Sequence, residues 1–412
     1  MPARPGTLHG TRVLDLTAEP GFLAGKLLGD LGADVVKIEP PGGDPARRRP
    51  PFWGGAPDPE RSLLWLALNT SKRGITLDLE RPRGRELFLA LVDHADVLLE
   101  TEPPGQMAAR GVGWETLHTR NRRLVHCALT PYGQSGPRAG WRGSDLTVVA
   151  ASGNLYSTGD PDRPPVRCAL PVSHYHGGIE AAVAVVFALT GRETSGEGQF
   201  VDVAMQEAMV MPNIGTAAMY VMTGIRGQRA GAFMRQERSV AREIWPCKDG
   251  FVSFALRGGP ARVPGLVAMV AYMEEHGMAS PALRAMNWKT YNHNLLGQAE
   301  IDALSNEFGA FFRTKTTAEL YQAACKRGLM LAPINTPREI TASAQLAARE
   351  FFVDVEDPRG RLRYPGAFAR STAAPIGIHR PAPRLGEHTA EVLAEVGCGA
   401  PELARLRAEG VV

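Results

Sequence analysis

Val13-Leu14-Asp15-Leu16, then Phe22 to Gly32, then Val35-Val36-Lys37-Ile38: this stretch decides the fold. The first and last pieces are short apolar runs of strand length. The middle piece places Leu23, Leu27, Leu28 and Leu31 at helical spacing, and Gly32 ends it as a left-handed cap does. Strand, helix, strand in that order is a βαβ unit. The pattern recurs: Gly84 to His94 carries Leu87, Phe88, Leu91 and Val92, with the strand candidates Val97–Leu99 and Leu124–Leu129 following. Such alternation predicts a parallel sheet with helices on its faces.

Outward from that core, the chain divides. Helices are predicted over Gly178–Thr190 and from Asp202 through Met222. Arg226 to Arg242 is polar, basic and glycine-containing, and reads as a linker. Ile244 to about Leu331 mixes a strand, Phe251–Leu256, with helices and reads as a smaller domain. Pro333 to Pro337 leads back, and the tail Thr389–Val412 is helical at Val392, Leu393 and Val396. The expected division is a large domain of residues 1–225 and 335–412 and a small one of residues 226–334. The glycine- and proline-rich loops Pro40–Pro59 and Gly159–Pro165 are expected at the C-terminal edge of the sheet, where ligands bind.

A length of 412 residues exceeds one ordinary core, and 44% hydrophobic with 22% charged residues is a globular composition. A net charge of +3 gives no basic face for nucleic acid. Arg47-Arg48-Arg49 is the nearest approach to one, as a solvated loop or a phosphate contact. Five cysteines without a C-x-x-C pair argue against disulfides and structural zinc, and fit a reducing cytoplasm. Met1 to Gly10 shows no secretion leader, and the apolar run Ile179–Leu189 is too short for a membrane span. No G-x-G-x-x-G, G-x-S-x-G or H-E-x-x-H occurs, and in Gly191–Gly198 a glutamate, Glu197, stands where a phosphate loop needs lysine. His174 and His176 would share one side of a strand, but with no third ligand a metal is not expected.

Several segments together resemble the class III CoA-transferases, the family of formyl-CoA transferases, carnitine CoA-transferases and α-methylacyl-CoA racemases. They are Leu28 to Asp44 (LGDLGADVVKIEPPGGD), Leu68 to Leu79 (LNTSKRGITLDL), Tyr132 to Pro137 (YGQSGP), Gly191 to Met205 (GRETSGEGQFVDVAM) and Pro383 to Thr389 (PRLGEHT). They stand in family order over nearly the whole chain. The resemblance implies an α/β subunit with a Rossmann-like large domain formed by both chain ends, a smaller middle domain, and two subunits interlocked like links. It also implies coenzyme A thioesters as substrates and no tightly bound cofactor.

Chemistry of this kind uses an aspartate. Its carboxylate attacks the thioester, forms a mixed anhydride that remains activated, and returns the acyl group to the CoA thiolate. The resemblance sets this aspartate nineteen residues before the arginine of the G-R-x-x-S/T-G-x-G-Q segment. Counting back from Arg192 reaches Ser173; a shift of one gives Val172 or His174. No acidic residue lies between Arg167 and Ile179, and Glu180 comes about two turns late. Ser173 therefore occupies the nucleophile position and is read as a helix or turn cap, since a serine ester is too poorly activated to shuttle an acyl group. The racemase histidine is also absent, Ser144 standing before Asp145.

The loop that meets CoA in the family, E-N-F-R-P-G-like, is altered here to Glu100-Thr101-Glu102-Pro103-Pro104-Gly105. Glu102 would repel phosphates, and Pro103 removes an amide donor. These losses imply no catalytic residue of its own and a non-catalytic subunit whose partner is a homologous catalytic CoA-transferase subunit. The family's precedent for paired subunits is the succinyl-CoA:(R)-benzylsuccinate enzyme of anaerobic toluene degradation. The competing readings are a self-sufficient homodimer with a different nucleophile, and a CoA-free structural or binding protein.

Overall fold

Leu14 and Val13 point to opposite faces of one strand, and each seeds a core. The computed structural model describes residues 5–412, so of the stretch read for a leader, residues 1–4 lie outside the described residues. Six strands, β1 (Arg12–Asp15), β2 (Asp34–Glu39), β3 (Lys72–Thr76), β4 (Val97–Glu100), β5 (Val125–Thr130) and β6 (Phe200–Ala204), form one parallel sheet in the order β3-β2-β1-β4-β5-β6. On one face Leu14, Val36, Ile75 and Leu98 pack against Phe88 and Val392; on the other Val13, Val35, Val97 and Val125 pack against Leu28 and Val185. Burial on both faces is why these strands read as continuous apolar runs.

Two of the six strands are not legible as such in the sequence. β3 reads Lys-Arg-Gly-Ile-Thr and owes its place to charge pairing: Lys72 reaches Asp15, and Arg73 reaches Asp34 at 2.6 Å. β6 was expected to open the helix Asp202–Met222. Instead Phe200–Ala204 pairs with β5, and the helical part breaks into Met205–Val210 and Ile214–Thr223 around Pro212. The alternating apolar residues of β6 become a strand because β5 offers an open edge, a fact outside the local sequence.

The helix expected over Gly178–Thr190 runs from Val172 to Ser195, ending where Gly196 takes φ 74°. It lies across β5, β6 and the helix Phe22–Asp30. Gly178 allows that crossing, since a Cβ there would sit 3.1 Å from Leu23 Cβ. It is long and apolar enough to cross a membrane, but its buried face, including Ala181, Val185 and Ala188, covers the sheet. The chain's end returns to the same sheet: His388 N donates to Gly74 O at 2.8 Å, and Thr76 N to Thr389 Oγ1 at 3.0 Å. The helical tail is two helices, Thr389–Ala394 and Ala400–Ala408.

The chain separates into a unit of residues 1–155, 167–224 and 347–412 and a unit of residues 156–166 and 225–346. The large unit is thus an α/β fold built from both chain ends. Gly159–Pro165, expected at the sheet's edge, belongs to the second unit, which also continues past residue 334. That unit holds an antiparallel sheet of Ile244–Pro246, Phe251–Phe254 and Leu331–Pro333 over a core of Trp245, Phe254, Phe308 and Phe312. The Arg226–Arg242 segment is more than a linker: Phe233–Arg235 and Val240–Arg242 pair antiparallel within it.

Candidate active site

The strand order reverses between β1 and β4, and in a parallel sheet the crevice beyond the C-terminal ends of such strands is where ligands bind. Below that crevice is a sealed ionic cluster. Asp15, the last residue of β1, has no solvent exposure, nor has Lys72, and Lys37 is 1% exposed. Lys72 Nζ lies 2.8 Å from Asp15 Oδ2 and also donates to Phe22 O and Asn69 Oδ1, each at 2.9 Å. Lys37 donates to the carbonyls of Asp15 and Thr17, and Thr17 N and Oγ1 donate to Asp15 Oδ1 at 2.9 and 2.6 Å. Burial pushes the Asp15 carboxyl up, but Lys72 and Lys37 outweigh it and hold it below the ordinary range. Burial pushes the Lys72 ammonium down to about 8, with Asp15 opposing. The cluster staples both ends of the loop Leu16–Gly21, which forms a wall of the crevice.

Arg47 settles the reading of the arginine triplet. Its guanidinium is bidentate on Glu39, at 2.6 and 2.8 Å, stacks 3.8 Å from the Trp65 ring centroid and is 1% exposed. It is a core ion pair, neither a solvated residue nor a phosphate contact. Arg48 and Arg49 are exposed, and Arg49 pairs with Glu19.

Two cavities open at the crevice, and both are lined by Ala18, Thr101 and Glu102. One, of about 310 Å³, has charged walls that include Lys37, Asp44, Glu80 and Arg110. Here the repulsion expected of Glu102 is offset, because Arg110 Nη1 lies 3.1 Å from its carboxylate. Thr101 does not point into an empty loop either: its hydroxyl accepts from Ala18 N at 2.7 Å and ties the β1 and β4 loops together. Pro103 lines the second cavity, with its carbonyl accepting from Gln106 N.

The second cavity, about 450 Å³, has a largely apolar wall from Pro20, Leu129, Pro131, Trp141, Val148 and Met205. Ser173 is not on it. Ser173 is fully buried inside the first turn of the helix Val172–Ser195, whose cap position is Pro171, so it does not cap the helix; its N and Oγ donate to Asp145 Oδ1 at 2.9 and 2.8 Å. The next residue, His174, lines the cavity. Its Nδ1 is buried without a hydrogen bond, 3.8 Å from Glu19 Oε1. Burial lowers the His174 pKa; the Asp145 carboxylate opposes this and Arg49 adds to it. His176 is two residues on in a helix, not a strand, so the pair does not share a side. Among the described residues no group of three His, Cys, Asp or Glu is placed to hold a metal.

The count from Arg192 reaches Ser173, and the side chain that lines the cavity is the next one, His174. Gly177 and Gly178 press against neighbours, which fixes how the first turn is rotated. Glu19 carried no sequence signal, since it acts on His174, remote in the chain; Arg110 meets Glu102 only through the fold of the segment between them.

Residues 8–389 match the family described as CoA-transferase family III. The chain belongs to that family. It is 34% identical over 97% of its length, and 97% of the relative's, to the succinyl-CoA:(R)-benzylsuccinate CoA-transferase subunit BbsE of Thauera aromatica. It is 32% identical to the succinyl-CoA–D-citramalate CoA-transferase of Chloroflexus aurantiacus, covering 100% of this chain and 99% of that one. Among solved structures, a CAIB/BAIF family protein from Brucella suis superposes with a TM-score of 0.82 at 28% identity, covering 95% of this chain and all of that one. CoA-transferases of this family use coenzyme A thioesters as substrates.

Proposed function

We propose that this chain is the non-catalytic subunit of a family III CoA-transferase that moves CoA between carboxylic acids, its homologous partner supplying the aspartate. One observation carries the reading: the turn that brings the family's nucleophile to the cavity offers His174 and a buried Ser173, with no carboxylate between Arg167 and Ile179. The acids nearby are engaged, Asp145 by Ser173, Glu102 by Arg110 and Glu19 by Arg49. An imidazole or a hydroxyl cannot form the mixed anhydride on which carboxylate transfer depends.

The substrates we propose are succinyl-CoA, as the CoA donor that releases succinate, and (R)-benzylsuccinate, as the acceptor, in anaerobic toluene degradation; the likeness to a BbsE subunit supports this choice. The proposed assembly is an interlocked pair in the cytoplasm. Support for a covering partner comes from the segment Met211–Ile225, where Met211, Ile214, Tyr220, Val221, Met222 and Ile225 are all exposed. Large apolar side chains left exposed along one segment mark an interaction site.

The test is co-expression with a paralogue that has an intact aspartate, followed by transfer assays with succinyl-CoA and benzylsuccinate on each chain alone and on the pair. Transfer by the pair only is expected. Robust transfer by this chain alone would overturn the reading.

A further inference from the structure

We propose that His174, oriented by Glu19, gives this chain a slow hydrolase activity of its own toward small acyl-CoA thioesters. The inference uses family membership, which brings the thioester to the crevice, and is independent of whether a partner performs transfer. It begins from the histidine's two edges. Nδ1 is buried, 3.8 Å from the Glu19 carboxylate, and the residue lines the cavity, to which we assign the opposite edge, Nε2. That is the layout of a general base with a carboxylate behind it. The contact to Glu19 is longer than a hydrogen bond and shortens when the ring gains charge.

The groups that face this ring are Glu19 from the loop after β1, Asp145 from the helix Asp145–Ala151, and Arg49, which pairs with Glu19; Glu102 and Arg142 line the same cavity. Burial and, less, Arg49 lower the imidazole pKa against the pull of Asp145, which favours the neutral form that can accept a proton. Arg142 has no ion pair among the described residues and can meet negative charge developing on a carbonyl oxygen. A cavity of about 450 Å³ admits an acyl group and a water molecule together.

The step balances without a co-reactant. Nε2 takes a proton from water as its oxygen bonds to the thioester carbon; the C–S bond then breaks, and the proton passes to the departing thiolate. The products are the free acid and CoA thiol. In the aspartate enzymes the carboxylate would capture the acyl group first. Here nothing does, so water is the acceptor.

The experiment uses the purified full chain with succinyl-CoA and no acceptor acid, following thiol release and running in ¹⁸O-water. Expected are one succinate per thiol and one ¹⁸O in each new carboxylate. His174→Gln should lower the rate about 100-fold, the low end for loss of a general base. Glu19→Gln should lower it less, and should move the acidic limb of the pH profile to lower pH, because the imidazolium loses its counter-charge; a purely structural role would not move that limb. His174→Asn, checked by melting temperature, guards against misfolding of the first variant. No release above the blank, release unchanged in both His174 variants, or succinate free of ¹⁸O would each overturn the proposal. Transfer by the co-expressed pair, measured in parallel, reports separately on the partner reading.

Discussion

On the β2–β3 side of the β1/β4 junction, Asp15, Lys37, Lys72, Glu39 and Arg47 are all at most 1% exposed, and every one of these charges has an opposite charge within 4 Å. On the β5–β6 side two buried polar atoms are left without partners: His174 Nδ1 and Thr130 Oγ1 make no hydrogen bond, and both residues line the apolar cavity. The two regions stand at the same edge of one sheet, yet they spend polar groups differently. Sealed, saturated charge fixes a loop, because any rearrangement would strand an ion in low dielectric. Unsaturated groups beside a cavity leave bonding capacity for something that enters it. The first region is scaffold and the second is where chemistry can occur.

The largest effect should come from breaking the saturated side. Lys72→Met leaves Asp15 with only the more distant Lys37, and a buried pair broken from one side costs about 3–5 kcal/mol. Denaturant unfolding measures it; a loss under about 1 kcal/mol would mean that the cluster is not the staple its geometry describes. Next comes Ser173→Asp, which as a helix cap would be harmless. In the observed packing it sets a second carboxylate against Asp145 in a site without solvent, so a loss of about 3 kcal/mol is expected by the same measurement. His174→Asp, one residue on and facing the cavity, should fold nearly normally; equal damage from both would erase the distinction between the two positions.

An effect of similar size sharpens the comparison through pH. Burial lowers the Lys72 pKa from 10.5 to about 8, so between those values the unfolded chain holds a proton that the folded chain has released. Stability from this group therefore rises with pH across that window. The gap between the native protein and Lys72→Met should widen between pH 8 and 10.5 by on the order of 3 kcal/mol; a constant gap would argue that Lys72 keeps its proton. Smallest of all should be Glu102→Gln. Its partner Arg110 is itself 19% exposed and Glu102 is 30% exposed, so the pair is partly screened and its loss should cost under about 1 kcal/mol in melting experiments.

The sequence by itself determined the βαβ frame. The spacing of Leu23, Leu27, Leu28 and Leu31 and the cap at Gly32 are local facts, and a local pattern of that strength survives any tertiary context. It also determined the family segments and the lack of an acid between Arg167 and Ile179. Tertiary structure alone decided that Lys-Arg-Gly-Ile-Thr is a strand, since its lysine needs Asp15 from β1, and that Phe200–Ala204 closes the sheet, since it needs the edge of β5. It decided that Arg47 is core and that Glu102 has a partner. It also decided which of two adjacent residues, Ser173 or His174, meets the cavity. A count along the chain fixes a position to within one residue, but one residue turns a helix by about 100°. Only the packing of that first turn against Met205, Leu23 and Asp145 sets the rotation.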